Sequence, residues 1–149
     1  MVIAEVLLKY KNIIDEKFEQ YLELKRKGDL KKAGEVIWSI LVIMISMISL
    51  VLKGEPISRH KEAKLFVKKE LSILYHNLYR DDPKHLVLLF NDAEKLHTNF
   101  YLDFLDENEL YECLGASEKL VTILWSFFKY SLEIKRRRKH SEEHKGRKT

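Results

Sequence analysis

Two short strings in this 149-residue chain carry residue types at spacings that could do acid–base chemistry. Arg80-Asp81-Asp82-Pro83-Lys84-His85 holds an arginine and a histidine with four residues between them. In metal-free phosphodiester cleavage the guanidinium would stabilise charge on the phosphorane, and the imidazole would act as acid or base. The plainer reading is an exposed arginine at one helix end and a first-turn histidine in the next helix. A two-residue pattern favours the plainer one. His140-Ser141-Glu142-Glu143-His144 has the H-x-x-E-H spacing of a zinc peptidase, with two imidazoles one turn apart. It sits in a strongly basic segment whose repulsion opposes a cation, so no metal site is assigned. Cys113 lies in an apolar stretch and reads as an inert buried thiol. There is no glycine-rich phosphate loop and no G-x-S-x-G elbow, and no cofactor is expected.

A third group is more informative. Leu86, Leu89, Phe90, Ala93, Leu96, Phe100 and Phe104 mark one apolar helical stripe. His97 falls at its edge, and Tyr101 follows one turn later. Glu35, one turn before Trp38 at the start of another apolar run, is the expected partner of His97. A carboxylate that loses water needs a donor, and an imidazole N–H supplies one. Asn99 or Tyr101 could fill the remaining acceptor sites. The structural reading is a buried polar network that fixes the register of two helices. The functional reading is a ligand pocket with Trp38 stacking on a base or ring. The first is favoured, because no phosphate-binding loop accompanies the group.

The elements that must position these residues are helical throughout, with no period-2 strand. Helices are expected over 2–27, 30–53, 59–80, from Pro83 to about Leu105, and over 107–138. Gly28 closes the first, and Asp29 caps the second. Ser58 is the expected cap of the third. Asp82 with Pro83 starts the fourth. Asp106 with Glu109 three residues on resembles a capping box for the fifth. Short connections imply an antiparallel up-and-down bundle of about five helices.

Charge is unevenly distributed. Residues 135–149 carry eight Lys/Arg and two Glu, leaving 19 basic and 21 acidic residues in 1–134. The body is therefore near neutral and has no broad phosphate-binding surface. The chain reads as one domain, 1–134, followed by a basic tail, 135–149, frayed or disordered. Lys135, Arg136, Arg137, Arg138 and Lys139 are its candidates for holding RNA or another polyanion. One cysteine excludes an internal disulfide, and the first residues lack the basic start of a signal peptide.

Residues 36–52 are seventeen uncharged positions in a row. That is within the length range of a membrane span, yet Ser39, Ser46 and Ser49 interrupt it, and the other helices have wet faces. A helix apolar on all sides belongs at the centre of a bundle or against a second subunit. A homodimer is therefore expected and membrane insertion is not.

Two segments together carry a resemblance. Lys27-Gly28-Asp29-Leu30-Lys31-Lys32-Ala33-Gly34-Glu35-Val36-Ile37-Trp38 and Ala93-Glu94-Lys95-Leu96-His97-Thr98-Asn99-Phe100-Tyr101 resemble the archaeal PaREP family (type one), over about residues 5–130. The resemblance implies an all-α bundle related to HEPN domains in a cytoplasmic protein, and makes Glu35, Trp38, His97, Asn99 and Tyr101 the signature positions. The chain departs from the pattern at Gly34 and in the Ile/Met/Ser run after Trp38. HEPN nucleases use an R-x4-H pair for RNA cleavage. That string is not part of the PaREP signature. Three functions follow, in this order: a non-enzymatic helical binding or interaction module associated with nucleotide or nucleic acid; a metal-independent, toxin-like RNase of HEPN type using Arg80 and His85; and, least favoured, a membrane protein through helix 36–52.

Overall fold

The computed structural model describes residues 3–147, without the side chains of 144, 145 and 147. Its elements are α1 (Ile3–Arg26), α2 (Leu30–Lys53), α3 (His60–Phe66), a π-helical turn (Val67–Leu71) leading directly into α4 (Ser72–Tyr79), α5 (Pro83–Leu102) and α6 (Glu107–Arg147). The described residues form an all-α bundle without strands.

The caps follow the local chemistry of the sequence. Asp29 accepts from Lys32 N at 3.3 Å, and Asp82 accepts from Lys84 N at 2.9 Å with Pro83 in the first turn. Glu109 N donates to Asp106 at 2.8 Å while Glu109 accepts from Asp106 N at 3.3 Å, a reciprocal capping box. Ser58 does not cap α3. Arg59 occupies that place in extended conformation, with no side-chain cap bond.

The uncharged helix α2 is the axis of the bundle, packed by α1, α5, α6 and α3. Within 36–52, Leu52 alone is exposed. By length and composition α2 could cross a membrane, but 67% of its most apolar stretch is buried inside this one chain. The chain's own helices supply that cover.

One connection departs from a simple up-and-down path. Trp38 touches His60 near the start of both elements, and Lys53 pairs with Glu70 at 2.7 Å further along both. α3 and the π turn therefore run in the same sense as α2, with α3 against α2 and with the π turn and α4 packed on α5. To allow this, residues 54–59 run back extended along α2. The serines inside the apolar helix hold that return: Ser49 Oγ donates to Glu55 O at 2.8 Å, and Ser46 Oγ accepts from Ile57 N at 3.0 Å. Two buried hydroxyls thus satisfy loop backbone groups that would otherwise be stranded.

The π turn has a packing reason as well. Ala63, Val67, Leu71 and Tyr75 are all buried and recur every fourth residue. In an α-helix each such step drifts by about 40° around the axis. The wider turn offsets part of that drift and keeps the stripe on the core.

α6 is 41 residues long and α2 is 24, about 60 Å against about 36 Å. Its last buried side chain is Ser131. The expected helix end near 138, with a frayed tail after it, is corrected here: the helix continues to Arg147. Residues 135–145 contain no proline or glycine and are rich in Lys, Arg and Glu, all good helix formers. Glu133 also ties the first of these turns, accepting from Arg136 at 2.9 Å and Arg137 at 3.3 Å.

Candidate functional site

The structure brings Glu35 and His97 together across α2 and α5. His97 Nδ1 donates to both carboxylate oxygens of Glu35, at 2.9 and 3.0 Å. Beside them, Gly34 lets the two helices approach closely. A Cβ there would stand 3.1 Å from Leu96 Cδ2 and 3.2 Å from Leu96 Cβ, tighter than ordinary contact. The glycine that departs from the family pattern thus admits Leu96 and sets the spacing in which the Glu35–His97 bond closes.

Trp38 is the centre of the cluster and is only 5% exposed. His97 stacks on it, with ring centres 5.4 Å apart and planes 19° from parallel. His60 lies 5.2 Å and Phe90 5.5 Å from the same indole. Three rings of the chain itself lie against it, and little of the indole surface is left to solvent. Tyr101 meets His97 edge-on at 5.5 Å and is 69% exposed, so it rims the cluster rather than filling acceptor sites.

Asn99 is not part of this network. Its Oδ1 accepts from Phe104 N and Leu105 N, each at 2.7 Å, and so clips the turn between α5 and α6. The physical reason is proximity: Asp103 ends α5 in a left-handed conformation, which turns the next two N–H groups back toward Asn99.

The sequence reading missed the second half of the cluster. His60 Nε2 donates to Glu94 at 2.6 Å, and Lys64 Nζ donates to the other oxygen of Glu94 at 3.1 Å. Burial pushes the Glu94 carboxyl upward, but the bonds and charges of His60 and Lys64 outweigh it and hold it below the usual glutamate value. His60 and Lys64 are one turn apart on α3. That i, i+4 pair of donors was the available signal, and it needed knowledge that α3 lies along α5. The result is two Glu–His pairs whose imidazoles meet each other, ring centres 5.9 Å apart, against one tryptophan, binding α2, α3 and α5 to each other.

A third carboxylate–imidazole pair stands apart, in the Arg80–His85 string. His85 Nδ1 donates to both oxygens of Asp81 at 2.9 Å, and Tyr75 donates to the same carboxylate. The Tyr75 bond first, and then His85, hold Asp81 at about 2. The same bond and burial push the Tyr75 phenol up to about 12. Among the described residues, His85 Nε2 has no partner. Arg80 ends α4 in a left-handed conformation with its side chain exposed. The structure places Asp81, not Arg80, on His85.

A fourth polar group also escaped the sequence. Tyr21, fully buried, donates to Glu118 at 2.8 Å, and Lys25 pairs with the same oxygen at 2.7 Å. Burial first, and then Glu118, push the Tyr21 phenol upward. This group joins α1 to α6. Cys113 is buried, and burial pushes its thiol up, away from the thiolate a nucleophile needs. His144 of the H-x-x-E-H string lies outside the described side chains.

At the other end of the bundle, Lys135, Arg136, Arg137, Arg138 and Lys139 follow one another on an exposed helical segment. Glu133 engages Arg136 and Arg137. Lys135, Arg138 and Lys139 make no ion pair among the described residues.

The model of the archaeal PaREP1/PaREP8 family matches residues 9–121. No curated protein and no solved structure matches the chain. The matched stretch contains both halves of the Glu35–His97 contact as well as Trp38, Gly34 and the Asn99 clip. The match covers well over half of the sequence, and the chain belongs to the archaeal PaREP1/PaREP8 family.

Proposed function

We propose that the chain is a non-enzymatic helical binding module that holds nucleic acid on the basic far end of α6. The observation that carries this reading is the continuation of α6 past its last buried residue as an exposed helix with five consecutive cations. A preformed helix fixes those charges in space, so less ordering is needed on binding than for a flexible tail. The near-neutral body confines the attraction to this end. The Glu/His cluster, with its indole enclosed, is read as architecture.

The test is fluorescence anisotropy with a labelled single-stranded RNA over a range of salt. The variant replaces Lys135, Arg136, Arg137, Arg138 and Lys139 together by Gln. Each lost phosphate contact should flatten the slope of log affinity against log salt by about 0.7. Equal affinity and equal slope for variant and parent would overturn the reading.

A second reading has its own observation. The Asp81 carboxylate fixes His85 through Nδ1 and leaves Nε2 for an outside proton, the arrangement by which a carboxylate orients an acid–base imidazole. Under it the chain is a metal-independent RNase of HEPN type, with Arg80 nearby in sequence to meet phosphate charge. Labelled total RNA incubated with the protein in EDTA separates the two. Cleavage that disappears in His85→Ala favours the nuclease, and intact RNA favours the binding module.

A further inference from the structure

Beyond the last buried turn, α6 does not stand clear of the body at once. It overhangs the end of α2 and forms a cleft of about 410 Å³ with it. The floor is Val51, Leu52 and Ile134, and the wall is Lys135, Arg138 and Lys139. These three cations are spaced i, i+3, i+4, so they share one face of the helix, the face turned to α2. Arg136 and Arg137 lie on another face, with His140 and Ser141. Glu142 is the one acid in the cleft, so the lining carries a clear positive excess.

We propose that this cleft is a seat for one unpaired nucleotide of a single-stranded RNA, with the phosphate on Lys135, Arg138 and Lys139 and the base on the Leu52–Ile134 floor. The proposal rests on the nucleic-acid reading of α6 and adds the strandedness and the face. Three observations select this occupant. The volume lies in the range of roughly 300–1,000 Å³ typical of small-ligand clefts, which suits a single nucleotide rather than a duplex edge. An apolar floor under a cationic wall matches a flat base joined to a phosphate, and in a duplex the base faces are already stacked and covered. An anionic bilayer fits less well. Residues 135–147 contain no apolar side chain to insert, and the apolar part of the site is recessed in a cleft.

The experiment compares a labelled oligouridine, an RNA duplex of the same length and anionic phospholipid vesicles, each titrated with the full chain. Three variants are read alongside: Lys135→Gln/Arg138→Gln/Lys139→Gln, the opposite-face Arg136→Gln/Arg137→Gln, and Leu52→Gln. Circular dichroism verifies that each keeps its helix. The cleft variant should weaken oligouridine binding by about tenfold or more and flatten its salt slope, and the opposite-face variant should change it by less than about threefold. Leu52→Gln, at a position already 38% exposed, should weaken binding a few-fold with the salt slope unchanged. Equal losses from both faces, or tighter binding of the duplex, would overturn the cleft while leaving the α6 reading in place. Vesicle binding without oligouridine binding would overturn both.

Discussion

The two ends of this bundle treat charge in opposite ways. At the end where α2 starts and α5 finishes, Glu35, Glu94, His60, His97 and Lys64 are half-buried or rim a buried tryptophan, and each has a partner on another helix. At the end where α6 outruns α2, five cations sit together on an exposed stretch, three of them without an ion pair among the described residues. Polar groups that are paired across helices hold a fold together. Polar groups left unpaired and clustered by sign are available to something else. The Asp81–His85 pair is intermediate: it is exposed and local, four residues apart, so it binds no distant elements to each other.

If that contrast is right, breaking the closed end harms stability and leaves polyanion binding alone. The largest effect should come from Trp38→Ala. The indole is nearly fully buried against Phe90 and two imidazoles, so its loss should cost about 3–5 kcal/mol in urea unfolding. A folded Trp38→Ala protein of normal stability would show that the indole serves a ligand rather than the core. Asn99→Ala comes next. It strands two backbone N–H groups of the α5–α6 turn, for about 1–3 kcal/mol by the same measurement.

A smaller effect is expected from the Glu35–His97 pair, because both side chains keep about a quarter to a third of their surface in water. Glu35→Gln or His97→Gln alone should cost about 1–2 kcal/mol. In a double-mutant cycle the second change should add little to the first. Strict additivity in thermal melts would mean that the bond does not couple the helices. The smallest effect concerns acid. Glu94 is held below its ordinary value of 4.5, so the folded state favours its ionised form. Its contribution is complete above that value and is lost as the pH falls through the lower folded value. Glu94→Gln should therefore flatten the acid limb of a stability–pH profile and leave the limb above pH 7 unchanged. An unaltered acid limb would remove Glu94 from the set of carboxylates that hold the fold.

What was legible in the sequence follows from how local the signals are. The caps at Asp29, Asp82 and Asp106 involve neighbours two or three residues apart, so residue type and spacing suffice. The Glu35–His97 contact spans 62 residues but was readable, because each polar residue sits at the edge of an apolar stripe on helices expected to meet. His60–Glu94 was not readable in the same way. It depends on α3 running alongside α2, and the six-residue connection 54–59 looks like an ordinary antiparallel turn. The clue was Ser46 and Ser49, which read as interruptions of an apolar run and are in fact anchors for the returning loop. Asn99, expected beside the Glu35–His97 pair, instead bonds the α5–α6 turn, and Trp38 has His60 and Phe90 beside it as well as His97. A turn's hydrogen bonds and a ring's neighbours are fixed by tertiary packing, which the one-dimensional pattern does not carry. The far end of α6 carries no local stop signal near 138, so its helix-forming residues and the Glu133 pairs continue the helix past the expected boundary.

The most direct measurement sets the two ends against each other in one titration. Single-stranded RNA binding is read by anisotropy for the parent chain, for His97→Gln, and for the chain with Lys135, Arg136, Arg137, Arg138 and Lys139 replaced by Gln, all at a temperature where each is fully folded. His97→Gln should bind as the parent does. The chain without the basic stretch should lose most of its affinity and most of its salt dependence. Loss of binding in His97→Gln with binding retained in the other variant would put the ligand at the closed end and contradict the division drawn between the two.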